Sequence, residues 1–541
     1  MGGRILSIGD PVGAPDSIAE TTLRPRPDHD YWPSPADWRD EIFYSLVIDR
    51  FQPGADRVTV GDSRSGDSRH GGNLAGLAGR LAYLEELKVT TILLSPVTVT
   101  APGTYHGYAP VHLLEVDPHL GRLSDLVDLV DRAHGRGMRI ILDLVVNHTG
   151  PIFEYADGDG WKKDGRRGAV ARWNGFSPTE LAKAEHFTRR GVIENWSSPE
   201  QVAFGDFPPN FRRFATERAE TQRLLIHIAC WWLKETDVDG FRVDAIRHLD
   251  RGFLRNLANG VKRYAAGLGK NNPLILGEHS TGDCFDIAGD FTTGINSAYN
   301  YPEYRRQNWA LHGCAPTRDL EESFRAAYRS LGPALGNVIR FIDNHDVYRF
   351  LRAGEPEGLL RMALAFLMFS IGIPLVYYGT EQGFRQSTNR LEPESSAYRA
   401  SPQNREDMFA EGRYKSESSA GDNFTTMSGT FRWIRRLAEI RGRFTALRRG
   451  EQWIRWSDPE GPGLFAFSRI HGSQEVLVVL NTAATARQAD IDVDRHLVRP
   501  GDRLVDVLDL SCSVEAYRPE EGGSKVLVWV PSYGARVFVV A

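Results

Sequence analysis

The segment Asp237-Val-Asp-Gly-Phe-Arg-Val-Asp-Ala-Ile-Arg-His-Leu-Asp250 decides how this chain is read. Val238, Gly240, Phe241 and Val243 spell a short buried strand, because β-branched and aromatic side chains suit the pleat. Arg242 and Asp244 stand two residues apart and so share one face of that strand. Charges point into a core only when they are paired or used. Asp244 falls at the C-terminal end of the strand, where a parallel α/β barrel keeps its chemistry. A single Arg–Asp couple reads equally well as a buried ion pair that stiffens a strand, so the flanking segments must decide.

Outward from this segment one unit recurs: a β-branched run, a polar loop, an amphipathic helix. Strands are expected at 42–48, 91–94, 139–146, 240–243, 274–276, 294–298, 338–342 and 375–378, with helices at 74–87, 124–136 and 221–235 among them. Eight strands alternating with helices predict an α/β fold, a closed (β/α)8 TIM barrel. The spacing breaks once, after the third strand. There the Gly- and aromatic-rich segment 149–215 predicts a small inserted domain over the top of the barrel. Residues 1–40, rich in Pro, Asp and Trp, read as an extended arm. The barrel then occupies 41–148 and 216–445. From 446 to 541 short strands with turns, at 463–467, 475–480, 503–507, 525–530 and 535–540, predict a C-terminal all-β sandwich.

Composition narrows the function. The 541 residues, 41% hydrophobic and 25% charged, suit an ordinary globular protein, and a net charge of -5 argues against a nucleic-acid partner. No run of about 20 apolar residues is present to span a bilayer, and the first residues lack the apolar core of a signal peptide, so a cytoplasmic protein with no membrane partner is expected. The four cysteines have no metal-ligand spacing; Cys284 and Cys314 could pair, though nothing in the sequence requires it. Twelve Trp, 18 Tyr and 26 Phe supply flat faces that suit sugar rings.

The predicted strand ends carry polar groups in unusual number. They are Asp49-Arg50-Phe51, Tyr105-His106-Gly107-Tyr108, Asp143 to His148, Arg242 to Asp244, Glu278-His279 and Asp343-Asn344-His345-Asp346. Capping and turn residues would explain one or two such ends, not all of them. Three carboxylates, Asp244, Glu278 and Asp346, fit glycoside hydrolysis, which needs a proton donor for the leaving oxygen and a carboxylate facing the anomeric carbon. Arg242, on the same face as Asp244, keeps that carboxylate ionised and aimed. Glu278 suits the acid, since a carboxyl hemmed by aromatics has its pKa raised.

With these motifs in order, the chain from about residue 41 onward resembles the α-amylase superfamily (glycoside hydrolase family 13). The resemblance rests on Asp143-Leu-Val-Val-Asn147-His148, Gly240-Phe-Arg-Val-Asp244, Gly277-Glu278 and Phe341-Ile-Asp-Asn-His345-Asp346. Supporting segments are Val47-Ile-Asp-Arg-Phe51, His106-Gly-Tyr108 and Gly372-Ile-Pro-Leu-Val-Tyr-Tyr-Gly-Thr-Glu381. It implies a retaining enzyme on α-1,4-linked gluco-oligosaccharides, a weak hint of that linkage being Ala245 after the nucleophile. Asp244 is then the nucleophile, Glu278 the acid/base and Asp346 the transition-state stabiliser. Tyr108 stacks under the sugar, His148, Arg242 and His345 complete its subsite, and Asp49, His106, Arg247 and His248 line the substrate site. Transglycosylation or glucoside isomerisation stays open beside hydrolysis, as does an inactive carbohydrate-binding relative, against which the intact triad speaks.

Three departures stand out. Arg247-His248 replaces the family's usual Lys-His, and His279-Ser280 follows the acid. The family's structural calcium usually takes the equivalent of Asn147, a carbonyl near His248 and an Asp. Counted back ungapped from the nucleophile, that Asp falls on Arg213, and a cation cannot ligate Ca²⁺. No essential metal or other cofactor is expected.

Overall fold

The computed structural model describes residues 13–55, 58–386, 403–415, 422–520 and 522–541; the first twelve residues of the N-terminal extension lie outside it. The strand Gly240–Val243 is buried at every position. It is so because parallel strands flank it, Arg139–Leu144 on one side and Leu274–Gly277 on the other. In chain order the barrel strands are β1 (Phe43–Leu46), β2 (Thr91–Leu94), β3 (Arg139–Leu144), β4 (Gly240–Val243), β5 (Leu274–Gly277), β6 (Ser297–Tyr299), β7 (Val338–Arg340) and β8 (Ile373–Tyr377). Each pairs in parallel with its sequence neighbours, and β8 returns to β1. The expected (β/α)8 barrel is therefore the fold, with an all-β region after it.

Several expected strands end one or two residues away from the expected bounds, and Ile48, expected in the first strand, opens the helical turn Ile48–Phe51; two further differences have a local reason. The sixth strand begins three residues late. Gly294 takes φ +95, outside the extended range, and the Asn296 side chain turns back to accept the Ile275 amide at 2.7 Å. The helix expected over 74–87 breaks into Leu74–Gly79 and Leu81–Glu86. Gly79 weakens the helix there, and Arg80 leaves helical geometry to reach Gln52 and the face of Phe424.

The excursion after β3 starts and ends on one short antiparallel pair, His148–Thr149 against Arg212–Arg213. Between them lie the hairpin Phe153–Tyr155 with Val170–Trp173, the turn Ala184–His186 and the helix Pro199–Phe204. The N-terminal arm packs on the body. Glu180 accepts from Ser17 and from the amides of Ile18 and Ala19, and Asp237 takes the Trp32 amide and His29.

The C-terminal region holds a six-stranded sheet and a two-stranded sheet, Arg487–Val493 with Ser524–Val530. Two of its strands, Arg487–Val493 and Ser513–Glu515, carry too many exposed positions to show an apolar alternation in the sequence, and Glu451–Ser457 inverts it by exposing Trp453 and burying Gln452. Two fully buried guanidiniums knit this region to the barrel. Arg441 donates to the carbonyls of Met368, Leu447, Gly372 and Arg39, and Arg469 to those of Phe369, Leu447 and Gly450. All four cysteines are free, so Cys284 and Cys314 do not pair. Among the described residues no helix is long and apolar enough to cross a membrane.

Candidate active site

In-register pairing sets Arg242 on β4 beside Asp143 on β3. Side chains at paired positions share a face, so the two meet inside the barrel mouth. The Arg242 Nη1 donates to both Asp143 oxygens at 2.8 Å and to Asp244 Oδ1 at 2.7 Å, while its Nη2 lies 3.8 Å from Glu278 Oε2. One guanidinium thus holds carboxyls from the ends of three adjacent strands. All four groups are at least nine-tenths buried.

Backbone pairing aims the two central carboxyls. The Asp244 amide donates to the Leu144 carbonyl and the Glu278 amide to the Val243 carbonyl, so both side chains leave the barrel at the same height. Immediately after Asp244 the chain turns through Ala245 at φ +51, a left-handed geometry uncommon outside glycine and found where function demands it. That turn delivers the Ala245 N–H to Glu278 Oε2 at 3.0 Å. Asp346 is set by an Asx turn: the Asn344 side chain accepts the amides of Asp346 and Val347.

These surroundings separate the carboxyls by chemistry. Burial pushes Glu278 up to about 8; the charges of Asp244 and Asp346 add to this against the pull of Arg242. Burial also raises Asp143 to about 6, with Asp244 adding and Arg242 opposing. For Asp346 burial is outweighed. His345 at 3.2 Å, then Arg405 and Arg242, hold its carboxyl well below the usual range. The site can therefore present a protonated acid, Glu278, beside the charged carboxylate of Asp346 at neutral pH.

Tyr108 spans the opening. Its hydroxyl donates to Asp143 at 2.7 Å and lies 2.9 Å from His345 Nε2, while its ring is nearly parallel to that of His345 at 5.5 Å. Nδ1 of His106 accepts the Tyr108 amide, and burial lowers its pKa to about 3, with Arg405 adding. His148 is fixed by the Tyr108 carbonyl at 3.0 Å and stacks on Phe211.

The remaining expected residues fall into different places. His248 donates Nδ1–H to the Val202 carbonyl, and its ring meets Phe207 and Trp196 edge-on. Arg247 is exposed beside it. Asp49 is 2% exposed and its oxygens are occupied by Arg50 and by the amides of His70 and Gly71, so the structure places it behind the pocket wall.

Two kinds of site residue escaped the sequence reading. Asp143 was quoted within its motif but given no role. Arg405, which donates Nη2 to Asp346 Oδ1 at 3.3 Å, lies in no motif. Its only signal was the dense polar run Asn404-Arg405-Glu406-Asp407. Trp196, half exposed next to Phe207 and His248, is an aromatic platform on the inserted-domain side that composition alone could not locate.

The calcium expected of the resemblance can be tested on the same residues. The His248 carbonyl, which would ligate it, instead accepts Arg213 Nη2 at 2.6 Å, and Arg213 Nη1 takes the Phe214 carbonyl at 2.8 Å. Asn147 Oδ1 is buried without a hydrogen-bond partner among the described residues, but one neutral oxygen beside a guanidinium is no calcium cage. The residues present do not fit the ion.

Comparison with known proteins bears on the family and the fold. The family model described as "Alpha amylase, catalytic domain" matches residues 49–427. The Beta/alpha-amylase of Paenibacillus polymyxa is 28% identical over 83% of this chain and 34% of its own. An Alpha-amylase of Streptomyces lividans is 28% identical over 80% of this chain and 53% of its own. This chain thus spans between about a third and about half the length of these two relatives. The α-amylase from Geobacillus thermoleovorans, solved in complex with acarbose, superposes with a TM-score of 0.75 at 25% identity over 94% of this chain and 99% of that one.

Proposed function

Starting from a chain that belongs to the α-amylase catalytic-domain family of glycoside hydrolases, we propose a retaining enzyme for α-1,4-linked gluco-oligosaccharides. Asp244 attacks the anomeric carbon as the bond to the leaving oxygen breaks, and Glu278 gives that oxygen its proton. A glycosyl ester on Asp244 results. Glu278, now a carboxylate, takes a proton from water or from an acceptor hydroxyl, whose oxygen displaces Asp244 and regenerates both groups. Asp346, held charged by His345 and Arg405, binds the distorted sugar and favours its positive transition state. Tyr108, His106, His148 and His345 form the walls around that sugar, and His248, Arg247 and Trp196 face the leaving-group side.

The observation that carries this reading is the unequal hold of Arg242 on two neighbouring carboxyls. It grips Asp244 at 2.7 Å but stands 3.8 Å from Glu278, which burial keeps protonated. One is equipped as nucleophile, the other as acid. A binding relative has no need of that asymmetry. The test is a product time course on maltose, maltotriose, isomaltose, trehalose, sucrose and starch, with Asp244→Asn alongside. Turnover should fall by about 10⁴-fold or more in the variant. Activity that survives the substitution excludes Asp244 as nucleophile. Glucose or short maltodextrins mark a hydrolase; relinked sugars with little hydrolysis mark a transferase on the same intermediate.

The same reading extends to the metal. Arg213 takes the position of the family's calcium and ties the inserted domain to the loop after β4 through the His248 carbonyl. We also read the protein as cytoplasmic, a reading supported by its four free thiols.

A further inference from the structure

The charge that faces Asp346 most directly from outside its own turn comes from far along the chain. Arg405 is buried, and it divides its donors among three acceptors. Nη2 goes to Asp346 Oδ1 at 3.3 Å, Nε to the His345 carbonyl at 3.0 Å and Nη1 to the Tyr105 hydroxyl at 3.3 Å. A planar fork bound to a carboxylate, to the backbone just before it and to a phenol on the opposite wall fixes a direction as well as a charge.

Arg405 is itself braced on both flanks. Asn404 donates to the carbonyls of Asn344 and Val347, so it is tied to the very turn that carries Asp346. Glu406 accepts the buried Arg349, and Asp407 pairs with His70 at 2.5 Å. The Arg405 carbonyl accepts Arg50 Nη1 at 3.0 Å, and the Met408 amide donates to the Arg50 carbonyl at 2.8 Å. Arg50 in turn donates to Asp49 and lies over the Tyr105 ring with its Cζ 3.9 Å from the centroid. Asp49 anchors the far end by accepting the amides of His70 and Gly71. A continuous polar chain therefore runs from the end of β1 to the carboxylate of Asp346.

We propose that Arg405 is a positioning residue for Asp346, and that the Asp49–Arg50–His70–Asp407 brace sets where Arg405 stands. On this view the polar cluster at the end of β1 influences the reaction through Arg405 without touching the sugar. The inference rests on the role given to Asp346 above.

The groups that bear on the Asp346 carboxylate are His345 from its own segment, Arg405, Arg242 on β4, Glu278 after β5, His106 and Tyr108 from the loop after β2, and Tyr299 on β6. Removing Arg405 takes away one of the two guanidiniums facing Asp346 and leaves Glu278 opposing. The experiment compares Arg405→Ala, Arg405→Lys, Asp49→Asn and Asp346→Asn, measuring kcat and KM on one maltodextrin with and without added guanidinium ion. Arg405→Ala should lose about 10²-fold, chiefly in kcat, as expected for a misplaced catalytic group. Added guanidinium ion should restore part of the rate. Arg405→Lys keeps charge without the fork and should fall between wild type and Arg405→Ala. Asp49→Asn should show the same loss of kcat in weaker form. A kcat that stays unchanged in Arg405→Ala, or a loss that guanidinium does not relieve and Asp49→Asn does not share, overturns the proposal if Asp346→Asn is inactive. Should Asp346→Asn itself stay active, it is the role of Asp346 that fails.

Discussion

Glu278→Gln is expected to stabilise the protein while ending catalysis, and the gain should grow with pH. In the folded chain this carboxyl is buried, faces Asp244 and Asp346, and titrates at about 8 instead of its ordinary 4.5. The folded value lies above the unfolded one. The group therefore contributes its full stability below about 4.5, and that contribution is lost as pH rises through about 8. Each unit of difference corresponds to about 1.36 kcal/mol, which sets a ceiling on the order of 5 kcal/mol. Water entry and rearrangement of the neighbouring charges reduce the cost of ionisation, so a gain of about 2 kcal/mol at pH 8 is the expected figure. Glutamine has nearly the same shape and cannot ionise. Its oxygen can keep the Ala245 amide bond that Glu278 Oε2 now accepts at 3.0 Å.

The assay is urea unfolding of both proteins, followed by tryptophan fluorescence at pH 5 and pH 8. The two should differ little at pH 5 and by about 2 kcal/mol at pH 8, the variant being the more stable. The wild-type kcat/KM should fall over the same range as Glu278 loses its proton. A stability difference that is equal at both pH values refutes the reasoning, because the surroundings would then not be raising the carboxyl. A difference that grows toward low pH has the wrong sign and refutes it as well.

Chelation is expected to leave activity and thermal stability unchanged, since Arg213 already occupies the carbonyl a calcium would need; stoichiometric calcium in a metal analysis of the purified protein would show otherwise. Arg213→Ala should in turn destabilise by about 3 kcal/mol in the same unfolding assay, because the buried Asp206, which accepts the Arg213 amide, and the His248 carbonyl lose a neighbouring cation. Asp143→Asn should lower kcat by about 10²-fold with little change in KM: Arg242 loses its two-oxygen anchor and Tyr108 its acceptor, so the grip on Asp244 loosens. An unchanged kcat in Asp143→Asn would mean that Asp244 alone orients Arg242.

What the sequence disclosed and what it withheld divide along a physical line. The barrel strands were legible because each is a short, largely apolar run, several of them closed by charges, and β4 put two of those charges in its own face. Two of the boundaries that moved, at 79–81 and 294–296, are places where a glycine and one side-chain hydrogen bond override the pattern. The outer strands of the C-terminal region stayed hidden because an exposed strand needs little hydrophobic alternation. The same distinction governs the site. Asp244 and Glu278 could be picked out because each directly follows a strand, where chain position and barrel position coincide, and Asp346 lies in the loop beyond β7. Asp49 lies in the helical turn Ile48–Phe51 that follows β1, and its oxygens are spent on backbone amides and on Arg50. Arg405 directly follows no strand and still reaches Asp346. Residues delivered by strand register can be read from periodicity. Those delivered by a loop depend on which distant groups hold the loop, and here the holders, Arg50, His70 and Arg349, come from three other segments. Asp49 and Arg405 are therefore two ends of one structure, and the polar end of β1 acquires its meaning only when the loop it braces is in view.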